Sequence, residues 1–229
     1  MALSKIGSAG LDTLSGNLIV NGNLGVGTAS PATPLDVTKS NSGNFVATFQ
    51  NTNASTPYGV FIKDAPSGAN GYPLLQVTNS AGAHYFRVDS GTGYVTTPYQ
   101  PAFLARKTSS QVVSDGNTDV VIYPTTVNQT GSAWDGNSRF TAPVNGWYFV
   151  STQVNFLPNG QNYAGLTLYK NGLAFYIHDA VISPTLRQNL TPSGMVYCAA
   201  GDYLEFKFAS SGAATTLDNA GTFSARLAG

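Results

Sequence analysis

Apolar and polar residues alternate along this chain with a period of two. The longest run is Trp147 to Phe156, where Tyr148, Val150, Thr152, Val154 and Phe156 alternate with Trp147, Phe149, Ser151, Gln153 and Asn155. Leu18/Val20, Phe45/Ala47/Phe49, Phe86/Val88, Val120/Ile122, Leu166/Leu168 and Leu204/Phe206/Phe208 repeat the spacing. In an extended strand successive side chains point to opposite faces, so this period predicts strands with one face inward. No run carries helical spacing, and 25 Gly and 12 Pro interrupt the chain often enough to keep the strands short. The pattern predicts an all-β protein.

Turn residues divide the chain. Leu18, Val20, Leu24 and Val26 flank Asn21-Gly22, a hairpin signal. Pro34–Asn53 and Pro73–Gly93 echo each other: apolar-x-Val-Thr, then Ser and Gly, then an aromatic-centred strand. Such thin units need neighbours to bury a face. Pro98 and Pro101 bracket an extended linker. The expected organisation is residues 1–33 as an attachment and hairpin segment, 34–98 as a β-rich repeat region, and 99–229 as a larger β domain.

Charge removes several classes of partner. Charged residues make up 10% of the chain, with 11 cationic and 11 anionic side chains, against about 25% in an average domain. No basic field exists to gather nucleic acid or anionic lipid. No apolar run reaches the roughly 18 residues of a membrane helix. Met1 to Ile6 opens no secretory signal, so the chain is expected to be made in a cytoplasm. The single Cys198 permits no internal disulfide.

Candidate chemistry is sparse. His84 and His178 are far apart, and no Gly-x-Ser-x-Gly elbow, phosphate loop or Cys cluster is present. The chain is expected not to be an enzyme. Asp115, Asn117 and Asp119 space oxygen ligands by twos, but Val120 and Thr126 stand where a calcium loop needs Gly and Glu. A plain Asp-Gly-Asn turn explains them as well. No cofactor is expected, with calcium left open.

Two stretches carry resemblances. Asn21–Val37, NGNLGVGTASPATPLDV, resembles a segment common in phage tail fibre and tail spike proteins, with Val26 where isoleucine is usual. Phe140, Pro143, Gly146, Tyr148 and Val150 resemble the Phe-x-x-Pro-x-x-Gly-x-Tyr-x-Phe signature of complement-type globular heads and tumour necrosis factor-like proteins. Val150 replaces the final Phe. Gly165–Gly172, Ala200–Phe208 and Thr222–Gly229 resemble the later landmarks in order.

The resemblance implies a trimeric jelly-roll β-sandwich on a fibre-like β stalk. The trimer core is expected to include Phe140, Trp147, Tyr148, Phe149, Phe206 and Phe223, since β-strand Trp147–Phe156 is apolar on both faces at its start. In an eight-strand roll, loops near 124–137, 157–162, 183–193 and 210–221 are expected at the tip away from the stalk, with Pro143–Gly146, Asn171–Gly172 and Gly201–Asp202 at the other end. A receptor site is expected at Trp134, Asp135, Asn159, Gln161, Asn162, Tyr163, Arg187, Gln188, Asp218 and Asn219, whose amides, charges and aromatic rings suit a sugar. The implied protein is a virion tail fibre, homotrimeric, docked through its N-terminus to a phage tail or capsid protein, and adsorbing to a host surface glycan. A capsid decoration or head-fibre protein and a bacterial lectin-like adhesion module are the alternatives.

Overall fold

The computed structural model describes residues 22–26, 28–38, 47, 49, 60, 62, 73–131, 133–182 and 186–228. The chain forms two compact units, Met1–Lys63 and Asp64–Gly229. In the first, β1 (Leu24–Val26) pairs in parallel with β2 (Leu35–Val37). Gly25 lies against the Thr28 carbonyl, where no Cβ has room. The expected hairpin partner, Leu18–Val20, lies outside the described residues, as does most of the first repeat copy.

The second unit begins with a small antiparallel sheet of β3 (Pro73–Thr78), β4 (His84–Asp89) and β5 (Val95–Thr96). The strands that follow are β6 (Ala102–Arg106), β7 (Gln111–Val113), β8 (Thr118–Val120), β9 (Thr125–Thr130), β10 (Phe140–Thr141) and β11 (Gly146–Leu157). Then come β12 (Tyr163–Lys170), β13 (Leu173–Ile182), β14 (Gln188–Leu190), β15 (Ser193–Cys198), β16 (Tyr203–Ser211) and β17 (Thr215–Leu227). One sheet runs β14-β11-β17-β6-β9, with β15 also on β11 and β7 on β17. The other runs β10-β16-β12-β13, with β8 on β16. Sequence neighbours such as β11 and β12 lie in different sheets, and the pairings are antiparallel. This is a jelly-roll β-sandwich.

Alternation decides what the sandwich encloses. Tyr148, Val150, Val154 and Phe156 of β11 face Leu204, Phe206 and Phe208 of β16, all fully buried. Phe140–Tyr148, Phe156–Phe208 and Phe206–Phe223 make edge-on ring contacts at 5.3, 5.3 and 5.1 Å. Thr152 breaks the apolar series on the inner face. Its hydroxyl lies 2.5 Å from the Tyr123 hydroxyl and donates to the Thr222 carbonyl at 2.9 Å. Thr152→Val keeps the shape but strands the buried phenol, and is expected to cost about 1–3 kcal/mol in urea denaturation.

The Pro143–Gly146 bend is fixed from three sides. The Tyr148 hydroxyl donates back to the Val144 carbonyl at 3.0 Å. Gly146 packs against the Leu227 side chain, which a Cβ there would push aside. Ala142 N–H donates to the Asp202 carbonyl at 2.8 Å, and Asn171 Nδ2 donates to Asp202 Oδ1 at 2.7 Å. The three turns expected to gather at one end do so. Hydrogen bonds from Asn171 and Lys170, with the Ala199 N–H, hold the Asp202 pKa down at about 2. The chain enters the sandwich at this proximal end, where Leu227 N–H donates to the Pro101 carbonyl.

Two sequence expectations change here. Phe140, Tyr148, Phe206 and Phe223 are fully buried within one chain. They form the core of the protomer, so they have no area left to contribute to a trimer contact. Of the six expected trimer-core residues, Trp147 and Phe149 alone reach solvent. The loop near 124–137 also moves. β9 is a strand where an eight-strand roll has loop, and it runs back along β6 from Thr125 beside Arg106 to Thr130 beside Ala102. The segment after it therefore stands at the proximal end.

Candidate functional site

The distal end is built by the strand ends opposite the chain's entrance. Leu157 lies beside Thr216, Tyr163 beside both Ser211 and Ile182, and Phe156 beside Gln188. A bulge in β17 between the partners of Val154 and Phe156 pushes Asp218 and Asn219 out of the ladder. Asn159, Asn162, Tyr163, Arg187, Gln188, Asp218 and Asn219 thus stand at one end of the sandwich. Arg187 and Asp218 form an ion pair there.

Three expected site residues are placed otherwise. Trp134 is 6% exposed and stacks on Phe103 at 4.6 Å, because its bridge to Phe140 turns it into the proximal core. Asp135 sits beside it, with Oδ1 accepting from the backbone N–H groups of Asn137, Ser138 and Arg139. Both lie at the wrong end for a distal site. Gln161 is distal but 2% exposed. Its Oε1 accepts from Asn159 N–H and its Nε2 donates to Thr215 Oγ1, each at 2.6 Å. It braces the loop from beneath.

A second surface was only half visible in the sequence. On the outer face of the seven-stranded sheet, Trp147 stands opposite Tyr197 and Phe149 opposite Met195. These four are 52%, 48%, 36% and 39% exposed. The Trp147 and Tyr197 rings meet edge-on at 5.7 Å, and the Arg226 guanidinium lies 5.8 Å from the Phe149 ring. Beside them Leu104, Asn128, Thr130, Phe149, Ser224 and Arg226 line a depression of about 360 Å³. Met195 and Tyr197 escape a reading of β11 alone, since β15 becomes its neighbour only through the fold.

Cys198 is buried, and burial pushes its thiol up to about 11, so it stays protonated at neutral pH. Asp115 and Asn117 flank Gly116, whose φ of 74° makes the turn, while Asp119 belongs to β8. Among the described residues no three His, Cys, Asp or Glu side chains gather as a metal site would require.

No family model matches the chain, and no curated protein matches it. Solved structures are similar to part of it. Murine APRIL is 14% identical, covers 55% of this chain and 99% of its own, and superposes with a TM-score of 0.43. The globular domain of zebrafish complement 1qA protein is 12% identical over 56% of this chain and 97% of its own, at 0.41. The PRD1 vertex protein P5 is 17% identical over 57% of this chain and 99% of its own, at 0.42. At these identities the likeness is one of fold alone.

Proposed function

We propose that the chain is a structural virion protein, a homotrimeric short tail fibre or spike whose head binds a host surface glycan at its distal half. The uncovered aromatic face of Trp147, Phe149, Met195 and Tyr197 carries this reading. A sandwich with a complete internal core has no need of a second apolar face. Covering one contributes about 1.5–3 kcal/mol for each apolar side chain taken fully out of water. Phe149 joins the patch to the depression lined by Leu104 and Arg226, so the two form one continuous surface for a second copy to cover. The resemblance of Asn21–Val37 to phage fibre segments supports a virion role, with the N-terminus meeting a phage tail or capsid protein. Asn159, Asn162, Tyr163, Arg187, Gln188, Asp218 and Asn219 would present the receptor site at the end of the sandwich opposite the chain's entrance.

Sedimentation of the full chain is expected to give three times the protomer mass. Trp147→Glu with Phe149→Glu is expected to give folded monomers, with unchanged far-ultraviolet circular dichroism. A monomeric wild type would sink the reading. Antibody labelling of virions would separate a tail position from a capsid one.

A further inference from the structure

The solvent face of the β10-β16-β12-β13 sheet carries a cluster that neither the core nor the aromatic patch uses. Tyr163 lies down on this sheet rather than standing off it. A Cβ on Gly165 would overlap its hydroxyl and come within 3.0 Å of its Cε1. The ring therefore rests on bare backbone, with its other face outward. It points along β12 toward Tyr169, and burial followed by the nearness of that second phenol raises the Tyr163 pKa. His178 stands opposite Thr167. Its Nδ1 is 2.7 Å from Thr167 Oγ1 and its Nε2 3.5 Å from the Tyr163 hydroxyl.

Lys207 flanks Thr167 on the other side of β12, its Nζ 4.4 Å from the centre of the Tyr169 ring. Its partner Glu205 is nearly out of solvent, the two side chains being 22% and 4% exposed. Glu205 also accepts from Arg139 at 3.0 Å. The positive member of this group is thus the one presented to solvent beside the two tyrosines.

An outward ring face offers the C–H face of a sugar a flat apolar surface, while phenol, imidazole and threonine groups match its hydroxyls. An ammonium adds attraction for a carboxylate. A protein partner needs a broader surface, about 800 Å² on each side, and here Tyr163 and Ile182 sit at one end of a strip whose remainder, Thr167, His178, Ala180 and Lys207, is small or polar. We propose that this face binds an acidic glycan, with one carboxylated pyranose stacked on Tyr163 and its carboxylate at Lys207. The proposal rests on the receptor-binding reading above. It moves the sugar contact from the distal loops onto the sheet that adjoins them at Tyr163.

Affinity electrophoresis of the full chain tests it, in gels containing polygalacturonate, alginate, hyaluronate or polysialic acid, with dextran as the neutral comparator. Retardation by at least one acidic polysaccharide, and less by dextran, is expected. Tyr163→Ala should weaken it by about tenfold or more, roughly the loss of one good contact. Gly165→Ala should do the same without touching the sugar, because its methyl group lifts the ring. Tyr163→Phe keeps the ring and should stay within about threefold of wild type. Lys207→Met should erase the difference between acidic and neutral polymers. Unfolding temperatures establish that each variant is folded. Wild-type retardation that survives Gly165→Ala and Tyr163→Ala but is lost in Arg187→Ala overturns the sheet-face site and leaves the glycan-receptor reading standing. A wild-type trimer located on the virion yet retarded by none of the four polymers overturns the acidic-glycan assignment. A wild-type monomer absent from virions overturns the functional reading itself.

Discussion

Phe223→Ala is expected to lower the stability of the sandwich by about 3–5 kcal/mol, the range for deleting a large aromatic from a packed interior. Phe223 is fully buried and sits where the two sheets meet. Its ring contacts Phe103 at 4.8 Å, Phe206 at 5.1 Å, Trp134 at 5.5 Å and Tyr123 at 5.7 Å. Backbone pairing with Thr152 on one side and Ala105 on the other holds β17 in place, so neighbouring rings cannot simply close over the gap. Urea denaturation followed by tryptophan fluorescence measures the effect. A loss below about 1 kcal/mol would mean that the aromatic cluster repacks, contrary to this account.

Lys107→Met is expected to act in the opposite direction. Lys107 is 1% exposed at the end of β6, and its Nζ has one weak neutral partner, Gln111 Oε1, at 3.3 Å. Burial without a counter-charge lowers its pKa to about 8, against 10.5 for a free lysine. The folded chain therefore releases this proton more readily than the unfolded chain. Between about pH 8 and 10.5 the unfolded state binds more protons, so wild-type stability rises with pH across that window. Below pH 8 the full penalty is present, about 3 kcal/mol at roughly 1.4 kcal/mol per pH unit. Methionine preserves the length of the side chain and removes the charge. It should be more stable by about that amount at pH 7, with the difference vanishing toward pH 10.5. Gln111 keeps its bonds to Ile122 N–H and the Val120 carbonyl in the variant. Equal stability of the two proteins at pH 7 would show that Lys107 has found a compensating partner.

Much of the sandwich could be read from one dimension. The inward positions of β11, β12 and β16 follow from alternation, because side-chain direction along a strand is a local property. The gathering of Pro143–Gly146, Asn171–Gly172 and Gly201–Asp202 at one end follows from counting strand reversals. The same counting failed at β9, whose Thr-Val-Asn-Gln sequence has no apolar face to announce a strand. That reversal carries Trp134 and Asp135 to the opposite end. Gln161 looked like any loop amide until Thr215, 54 residues away, became its partner.

Alternation along β11 separates Tyr148 from Trp147 and puts the longer apolar series, Tyr148, Val150, Val154 and Phe156, inward, but it is silent on what covers the other face. The second sheet takes up the inward series and leaves Trp147 and Phe149 outside. The Tyr163 ring likewise gains its flat seat from Gly165, but its companions His178 and Lys207 come from β13 and β16, on either side of β12. The sequence by itself determined the strands that alternate, their inward faces and the shortage of charge, since each follows from neighbours along the chain. Which aromatic residues became core, which became surface, and which polar groups met at a site was decided by pairing between distant strands, and only the tertiary structure contains it.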